Sequence, residues 1–241
     1  MNAIQGGLSA LIIKQLDHTP LHLELHVPAG GTLILTGPSG SGKTTVLRCL
    51  AGLERIDRGW IFFNGQCWND TATAHRISPR HRELGFLSQD YALFPHMTLM
   101  ENIRFVLPAG DNPLPYLAAM GIDHLGKKRP HQVSGGERQR AALCQTLARR
   151  PRVLLLDEPF SALDIENRSH LRELLRQEQH QRGLTIVQVT HDLTETLCST
   201  AQVMCLRQGK EDPDWLDRQR ALLLNELKRL DHERDSFTAH P

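Results

Sequence analysis

Residues Gly37-Pro38-Ser39-Gly40-Ser41-Gly42-Lys43-Thr44 fit the pattern G-x-x-x-x-G-K-[ST], directly after the apolar run Leu33-Ile34-Leu35-Thr36. No other feature constrains the chain as much. A buried strand must end, the backbone must turn sharply through glycine, and a helix must begin at once. Only then do successive N–H groups converge on one point. The helix N-terminus adds partial positive charge directed at the same place. The pattern predicts a phosphate cradle in which Lys43 reaches the outer phosphates and the Thr44 hydroxyl can ligate Mg²⁺. A plain glycine-rich turn would need neither the lysine nor the flanking strand and helix.

A second landmark is acidic. The apolar run Val153-Leu154-Leu155-Leu156 ends in Asp157-Glu158. Acids at the C-terminal end of a buried strand lie where open α/β sheets bind ligands. Asp157 is placed to hold Mg²⁺ through water, and Glu158 to act as general base toward an attacking water. A helix N-cap pair is the plain alternative for two adjacent acids. Leu184–Val189 is a further run, ending in Thr190-His191, and Val203–Leu206 another; Leu21–Val27 alternates apolar and polar residues. Uninterrupted runs fit strands covered on both faces, and alternation fits a half-buried strand. Helices are expected at Gly42–Ala51, Gly136–Arg149 and Arg168–His180. Strand and helix in turn predict a doubly wound α/β fold. The Pro/Gly-rich stretch Leu107–Pro115 reads as a loop, and the chain shows no internal repeat.

Charge and composition exclude several functions. Lys and Arg total 28 against 27 Asp and Glu, for a net charge of +1. That balance argues against a nucleic-acid binder and a polybasic membrane anchor. Apolar residues make up 40% of a 241-residue chain, enough for a real core. No apolar run approaches the roughly 18 residues of a membrane span. Met1–Ser9 has neither the basic start nor the hydrophobic stretch of a secretory signal. Cys49, Cys67, Cys144, Cys198 and Cys205 lack C-x-x-C spacing and read as free thiols.

Val133-Ser134-Gly135-Gly136-Glu137-Arg138-Gln139-Arg140 narrows the reading. Ser134, Gly135 and Gly136 begin a helix, so free N–H groups and a hydroxyl face an anion. One phosphate loop is already present, so a second anion site is best explained by a partner chain docked head to tail. A bare helix cap with Ser134 at its start is the alternative. With this stretch the sequence resembles the ATP-binding subunits of ABC transporters, whose signature reads close to L-S-G-G-Q. Valine stands here for the leucine, and Glu137 for the glutamine.

The resemblance covers residues 10–210, with the other family marks in order. Gln89, after the strand Leu84–Leu87, looks like the Q-loop glutamine that ligates Mg²⁺ and water. Ser161-Ala162-Leu163-Asp164 looks like the D-loop, which crosses the dimer interface. His191 looks like the switch histidine that contacts the γ-phosphate. The resemblance implies a P-loop NTPase with a RecA-like, mostly parallel core, a small antiparallel β-subdomain and a helical subdomain at residues 87–150. The whole cassette would occupy residues 1–212. It implies an ATPase in which Gly37, Pro38, Ser39, Gly40, Ser41, Gly42, Lys43, Thr44 and Thr45 bind ATP. Thr44, Gln89 and Asp157 would organise Mg²⁺, with Glu158 and His191 acting on water and γ-phosphate. Ser134, Gly135, Gly136 and Glu137 of the opposite chain, with Asp164, would complete the site.

Asp90-Tyr91-Ala92-Leu93-Phe94-Pro95-His96-Met97-Thr98 resembles the same loop in bacterial importers for oxyanions, iron, thiamine, polyamines and sugars. Gln89–Thr98 is therefore expected to border the groove that grips a helix of an integral membrane permease, a contact that suits an apolar, aromatic loop. Leu93 and Phe94 as simple core residues are the alternative. The wording at Trp60–Gly65, Trp68–Asp70 and Pro79–Gly85 looks most like molybdate-type ATPases, with thiamine-type second. The resulting expectation is a peripheral homodimer on the cytoplasmic face of the inner membrane, importing an oxyanion such as molybdate that a solute-binding protein delivers. Thiamine, iron and export ATPases are the alternatives. Soluble relatives acting in translation or DNA repair usually carry two cassettes or an inserted coiled coil.

Two departures from the family stand out. Family members usually stack an aromatic ring on adenine, yet residues 1–59 hold no Phe, Tyr or Trp; Leu16 lies near that position and His18 is the nearest ring. Weaker adenine binding or relaxed base choice is expected. At the other end, Lys210-Glu211-Asp212-Pro213 breaks the pattern where the family often adds a strand. Leu216, Leu223, Leu227 and Leu230 then lie at helical spacing within Asp214–Arg234. Residues 213–241 are expected to form a helix and tail, too short for a regulatory domain.

Overall fold

The computed structural model describes residues 6–17, 19–197, 201–219, 221–222 and 225. His18, Cys198, Leu223, Leu227 and Leu230, singled out above, lie outside them. The chain opens with strands β1 (Leu8–Gln15), β2 (Pro20–Val27) and β3 (Thr32–Thr36), and β3 runs into helix α1 (Lys43–Ala51). Strands β4 (Arg58–Phe63), β5 (Gln66–Asp70), β6 (His75–Arg76) and β7 (Leu84–Leu87) follow. Helices α2 (Leu99–Val106), α3 (Leu114–Ala119) and α4 (Gly135–Ala148) separate β7 from β8 (Val153–Asp157). Helix α5 (Ile165–Arg182), β9 (Thr185–Val189), α6 (Leu193–Leu197), β10 (Gln202–Arg207) and β11 (Lys210–Glu211) complete the described elements.

Two sheets form. One is antiparallel in the order β2-β1-β4-β5-β6, and the other has the order β11-β10-β3-β9-β8-β7. The second is parallel from β10 to β7, with only β11 reversed. Its apolar runs are read correctly as strands covered on both faces. Val153 and Leu155 enter a core shared with Val46, Leu47 and Leu50 of α1 and with Ile12, Leu23 and Trp68 of the antiparallel sheet. Leu154 and Leu156 point the other way, into a core with Leu99, Ile103, Leu143 and Leu171 from the helices. A period-two strand between two apolar layers needs apolar residues at every position.

The differences from the sequence reading have local causes. Helix α5 starts at Ile165 rather than at Arg168, because the Asp164 side chain accepts a bond from the Asn167 N–H and caps the end. Its first turn carries no apolar period, and its one apolar residue, Ile165, is exposed. Strands β4 and β5 form a hairpin through Asn64 and Gly65, with φ of 47° and 80°, the left-handed pair that a two-residue turn requires. Where the family strand was expected to break, Lys210 and Glu211 do pair with β10 before Asp212 ends the strand. Residues 213–219 are helical, with Leu216 buried.

Candidate functional site

Parallel pairing brings the C-terminal ends of β3, β7, β8 and β9 to one edge of the sheet, where such folds hold ligands. From those ends run, respectively, the loop Gly37–Gly42, Gln89, Asp157-Glu158 and His191. Gly37 has φ of 134°, and a Cβ there would lie 2.1 Å from the Leu206 carbonyl of β10. The neighbouring strand thus leaves room for glycine alone. Lys43 is buried; its ammonium donates to the Gly37 and Pro38 carbonyls, each at 2.8 Å. Burial draws its pKa down, while the Glu158 and Asp157 carboxylates oppose that shift.

Asp157 is 3% exposed. Burial pushes its carboxyl up from the ordinary value; the Thr44 hydroxyl bond and Lys43 pull it down, and Glu158 adds to the upward push. A cation beside it would favour the charged form. The Thr44 hydroxyl and the Asp157 carboxylate are hard oxygen donors, with the Gln89 amide lining the cavity next to Thr44. That donor set suits Mg²⁺.

Glu158 adopts φ of 51° although it is not glycine, a conformation that costs roughly 1–2 kcal/mol. Its surroundings hold it there. Its N–H donates to the Val189 carbonyl at 3.0 Å. Its own carbonyl accepts from Gln139 Nε2 and from the Ser161 hydroxyl, both at 3.1 Å. The side chain then meets His191, with Glu158 Oε1 2.8 Å from His191 Nδ1. His191 itself is largely exposed.

Ser39, Gly40, Gly42, Lys43, Thr44, Thr45, Gln89 and Glu158 all line one open cavity of about 650 Å³. Lys14, Gln15, Leu16, Asp17, Glu54 and Val189 form its remaining polar and aliphatic wall, with no aromatic ring among the lining residues. Leu16 lies against the glycine loop: its Cδ1 is 3.2 Å from where a Gly42 Cβ would stand.

None of Ser134, Gly135, Gly136, Glu137 or Asp164 lines that cavity. Ser134 caps α4, its hydroxyl accepting from the Glu137 N–H while the Glu137 carboxylate accepts from the Ser134 N–H at 2.8 Å. That backbone bond, then the Ser134 hydroxyl, holds the Glu137 pKa down. A Cβ on Gly136 would come within 3.1 Å of the Ala162 carbonyl, so the start of α4 packs closely on the loop Ser161–Asp164. Both Asp164 oxygens accept bonds from Asn167.

Three supporting residues escaped the sequence reading. Gln139 sits one turn inside α4, fully buried. Arg168 donates to the Leu163 carbonyl and to Asp192, the residue after His191, at 2.8 and 2.9 Å. Asn102 on α2 is fully buried and ties down the loop before it, accepting from the Phe94 N–H at 2.8 Å and donating to the Thr98 carbonyl at 2.9 Å. The only signal was a polar residue on an otherwise apolar helix face, which a single sequence cannot tell from a solvated position. On that loop Leu93 packs partly on the helical core, and Phe94 is half-buried against the exposed Phe105, ring centroids 4.8 Å apart.

Residues 21–161 match the family described as ABC transporter. The sulfate/thiosulfate import ATP-binding protein CysA of Neisseria meningitidis is 43% identical over 205 residues, 80% of this chain and 56% of that protein. A protein of Chlorella vulgaris named as a probable sulfate/thiosulfate import ATP-binding protein CysA is 43% identical over 196 residues, 78% of this chain and 80% of its own length. The Fe(3+) ions import ATP-binding protein FbpC of Pseudomonas fluorescens is also 43% identical, over 78% of this chain and 54% of that protein. The chain spans little more than half the length of most of these curated relatives. Among solved structures, a dimeric ATP-binding cassette in a post-hydrolysis state bound to ADP and Pi superposes with a TM-score of 0.72 at 25% identity, covering 85% of this chain and 96% of that one.

Proposed function

Since this chain belongs to the ABC transporter family, we propose that it is the ATP-hydrolysing subunit of a solute importer, working as a head-to-tail pair. One observation carries the reading: Glu158, hydrogen-bonded to His191, lines the phosphate-loop cavity, while the Ser134–Glu137 turn lies off that cavity with its capping box closed on itself. A second copy supplies that turn to the first copy's nucleotide, and the reverse.

In this account Lys43 exchanges the Gly37 and Pro38 carbonyls for the β- and γ-phosphates. The loop N–H groups take the remaining oxygens. Thr44, Asp157 and Gln89 hold Mg²⁺, which neutralises phosphate charge when bound. Glu158 accepts the proton of the attacking water, and His191 orients that carboxylate and reaches the γ-phosphate. Phosphoryl transfer rests largely on positioning and charge stabilisation, so the partner's half-site matters greatly. With Leu16 in place of a ring, the base is held loosely, and ATP and GTP are turned over comparably. Glu158→Gln should lower hydrolysis by ~10²–10⁴-fold, the usual worth of a general base, while an ATP-bound dimer becomes easier to trap by gel filtration. Turnover at the wild-type rate would remove Glu158 from that role.

The cassette spans residues 1–212, with the helices between β7 and β8 as its transporter-facing part. The loop Gln89–Thr98 with Phe94 and Phe105 forms the edge that meets the permease, peripheral on the cytoplasmic face of the membrane. No described helix is long and apolar enough to cross a membrane. For the solute we propose an oxyanion. Relatives named for sulfate and thiosulfate support that class and favour a sulfur oxyanion over molybdate. The relative named for ferric iron supports the second reading. A chromosomal Lys43→Ala mutant should fail to grow on limiting sulfate and grow normally on cysteine. Loss of cell iron instead, with sulfate growth intact, would select the iron reading.

A further inference from the structure

Gln139 joins two parts of the chain that serve different nucleotides. It leaves α4 one turn after Ser134 and is fully buried. Its Nε2 donates to the Glu158 carbonyl at 3.1 Å, and its Oε1 accepts from the Ala162 N–H at 3.3 Å. One planar amide thus spans the general base and the loop Ser161–Asp164. The same carbonyl of Glu158 also accepts from the Ser161 hydroxyl at 3.1 Å. Every backbone group held by Gln139 therefore bears on the left-handed turn that aims the Glu158 carboxylate.

The neighbours leave little slack. Gly136 lacks a Cβ because the Ala162 carbonyl would meet one at 3.1 Å. Arg140, on the same helix, hydrogen-bonds Asn167, and Asn167 holds Asp164. The start of α4 and the loop after Glu158 are thus tied together, whereas the phosphate loop belongs to α1 and β3.

We infer that Gln139 is a positioning residue that couples the two nucleotide sites of the dimer, so that engagement of this chain's Ser134 turn by the partner's nucleotide sets the Glu158 turn at its own. The inference rests on the head-to-tail pairing proposed above. A buried amide suits the task because it has a donor and an acceptor and no charge. Displacing α4 must either break both bonds or carry Glu158 and Ala162 along.

The test compares the full-length wild type with Gln139→Glu and Gln139→Leu. Gln139→Glu keeps the acceptor for Ala162 but sets an oxygen against the Glu158 carbonyl; Gln139→Leu removes both bonds. Steady-state hydrolysis is measured against ATP concentration, and each change is repeated in a Glu158→Gln background to follow ATP-driven pairing by light scattering. Both variants should still pair with ATP, at a half-saturating concentration near that of the wild type. Their kcat should fall by about 5–150-fold, the usual range of a coupling free energy, and the Hill coefficient should drop from above 1 to about 1. A purely structural role would instead lower kcat through the folded fraction and leave the Hill coefficient unchanged; that result overturns the inference, as does wild-type behaviour in both variants. If the Glu158→Gln parent itself fails to pair with ATP, the head-to-tail reading falls, and this inference with it.

Discussion

Asp157 is a carboxylate kept dry beside a lysine, and its environment favours the neutral form. Its folded pKa lies above its unfolded one, so between those two values the folded state binds more protons. Stability contributed by this group is therefore present at low pH and lost as pH rises through the folded value. At neutral pH the charge is a liability that a cation beside it would offset. In chelator and without nucleotide, Asp157→Asn should melt higher than wild type near neutral pH, and the gap should close in acid below the unfolded pKa. The same variant should lose Mg²⁺-dependent hydrolysis. Thermal melts across pH check both halves; an Asn variant that melts lower at neutral pH would contradict the burial argument. At this scale the sequence was informative where chemistry demands a residue type: Lys43, Thr44, Asp157, Glu158 and His191 all reach one edge of the sheet. It was silent on Gln139 and Arg168, whose partners in the loop after Glu158 and at Asp192 are brought to them only by the fold.

Among the elements, α2 shows best how local rules and tertiary demands combine. Thr98 and Glu101 form a capping box at its start, with the Thr98 N–H donating to the Glu101 carboxylate at 2.7 Å. Asn102, one turn in, then serves the loop rather than the helix. Asn102→Ala would take the side-chain acceptor from the Phe94 N–H and leave the Thr98 carbonyl with the Asn102 backbone N–H. A loss of about 1–3 kcal/mol is expected on unpaired-group grounds, read by urea denaturation. Permease-stimulated hydrolysis should fall further than the basal rate, because the displaced residues Phe94–Thr98 form the proposed contact edge. Equal loss of both rates would separate that loop from permease contact. Parallel strands were legible because burial on both faces leaves no polar position. The antiparallel sheet was expected only through the family resemblance, and of its strands the pattern gave β2 alone, although Asn64-Gly65 between Phe63 and Gln66 is a turn signal of the right kind. The start of α5 was hidden by a first turn without an apolar period, whose only mark was Asp164.

At the scale of the whole molecule, Arg82 ties the phosphate-loop helix to the antiparallel sheet. Arg82 is 4% exposed and donates to the Leu50 carbonyl at the end of α1 and to the Trp68 carbonyl of β5, at 2.5 and 3.2 Å. Burial, then repulsion from Arg76, lowers its pKa to about 10, so it remains charged at neutral pH. It fixes the phosphate-loop helix against the antiparallel sheet that carries Leu16. The cavity thus has one wall from each sheet, and none of Ser134–Glu137 lines it. On the proposed pairing, one copy holds an incomplete site that a second copy completes.

The head-to-tail account is tested most directly by mixing two inactive forms. Lys43→Ala disables the chain's own phosphate loop. Ser134→Asp keeps the helix cap but sets a negative charge where the partner's phosphate must bind. In a mixed dimer, one site carries both defects and the other carries neither. The account predicts that the mixture recovers ATP hydrolysis that neither variant shows alone. A mixture as inactive as its parts, in a preparation shown by mass to contain mixed dimers, would contradict it.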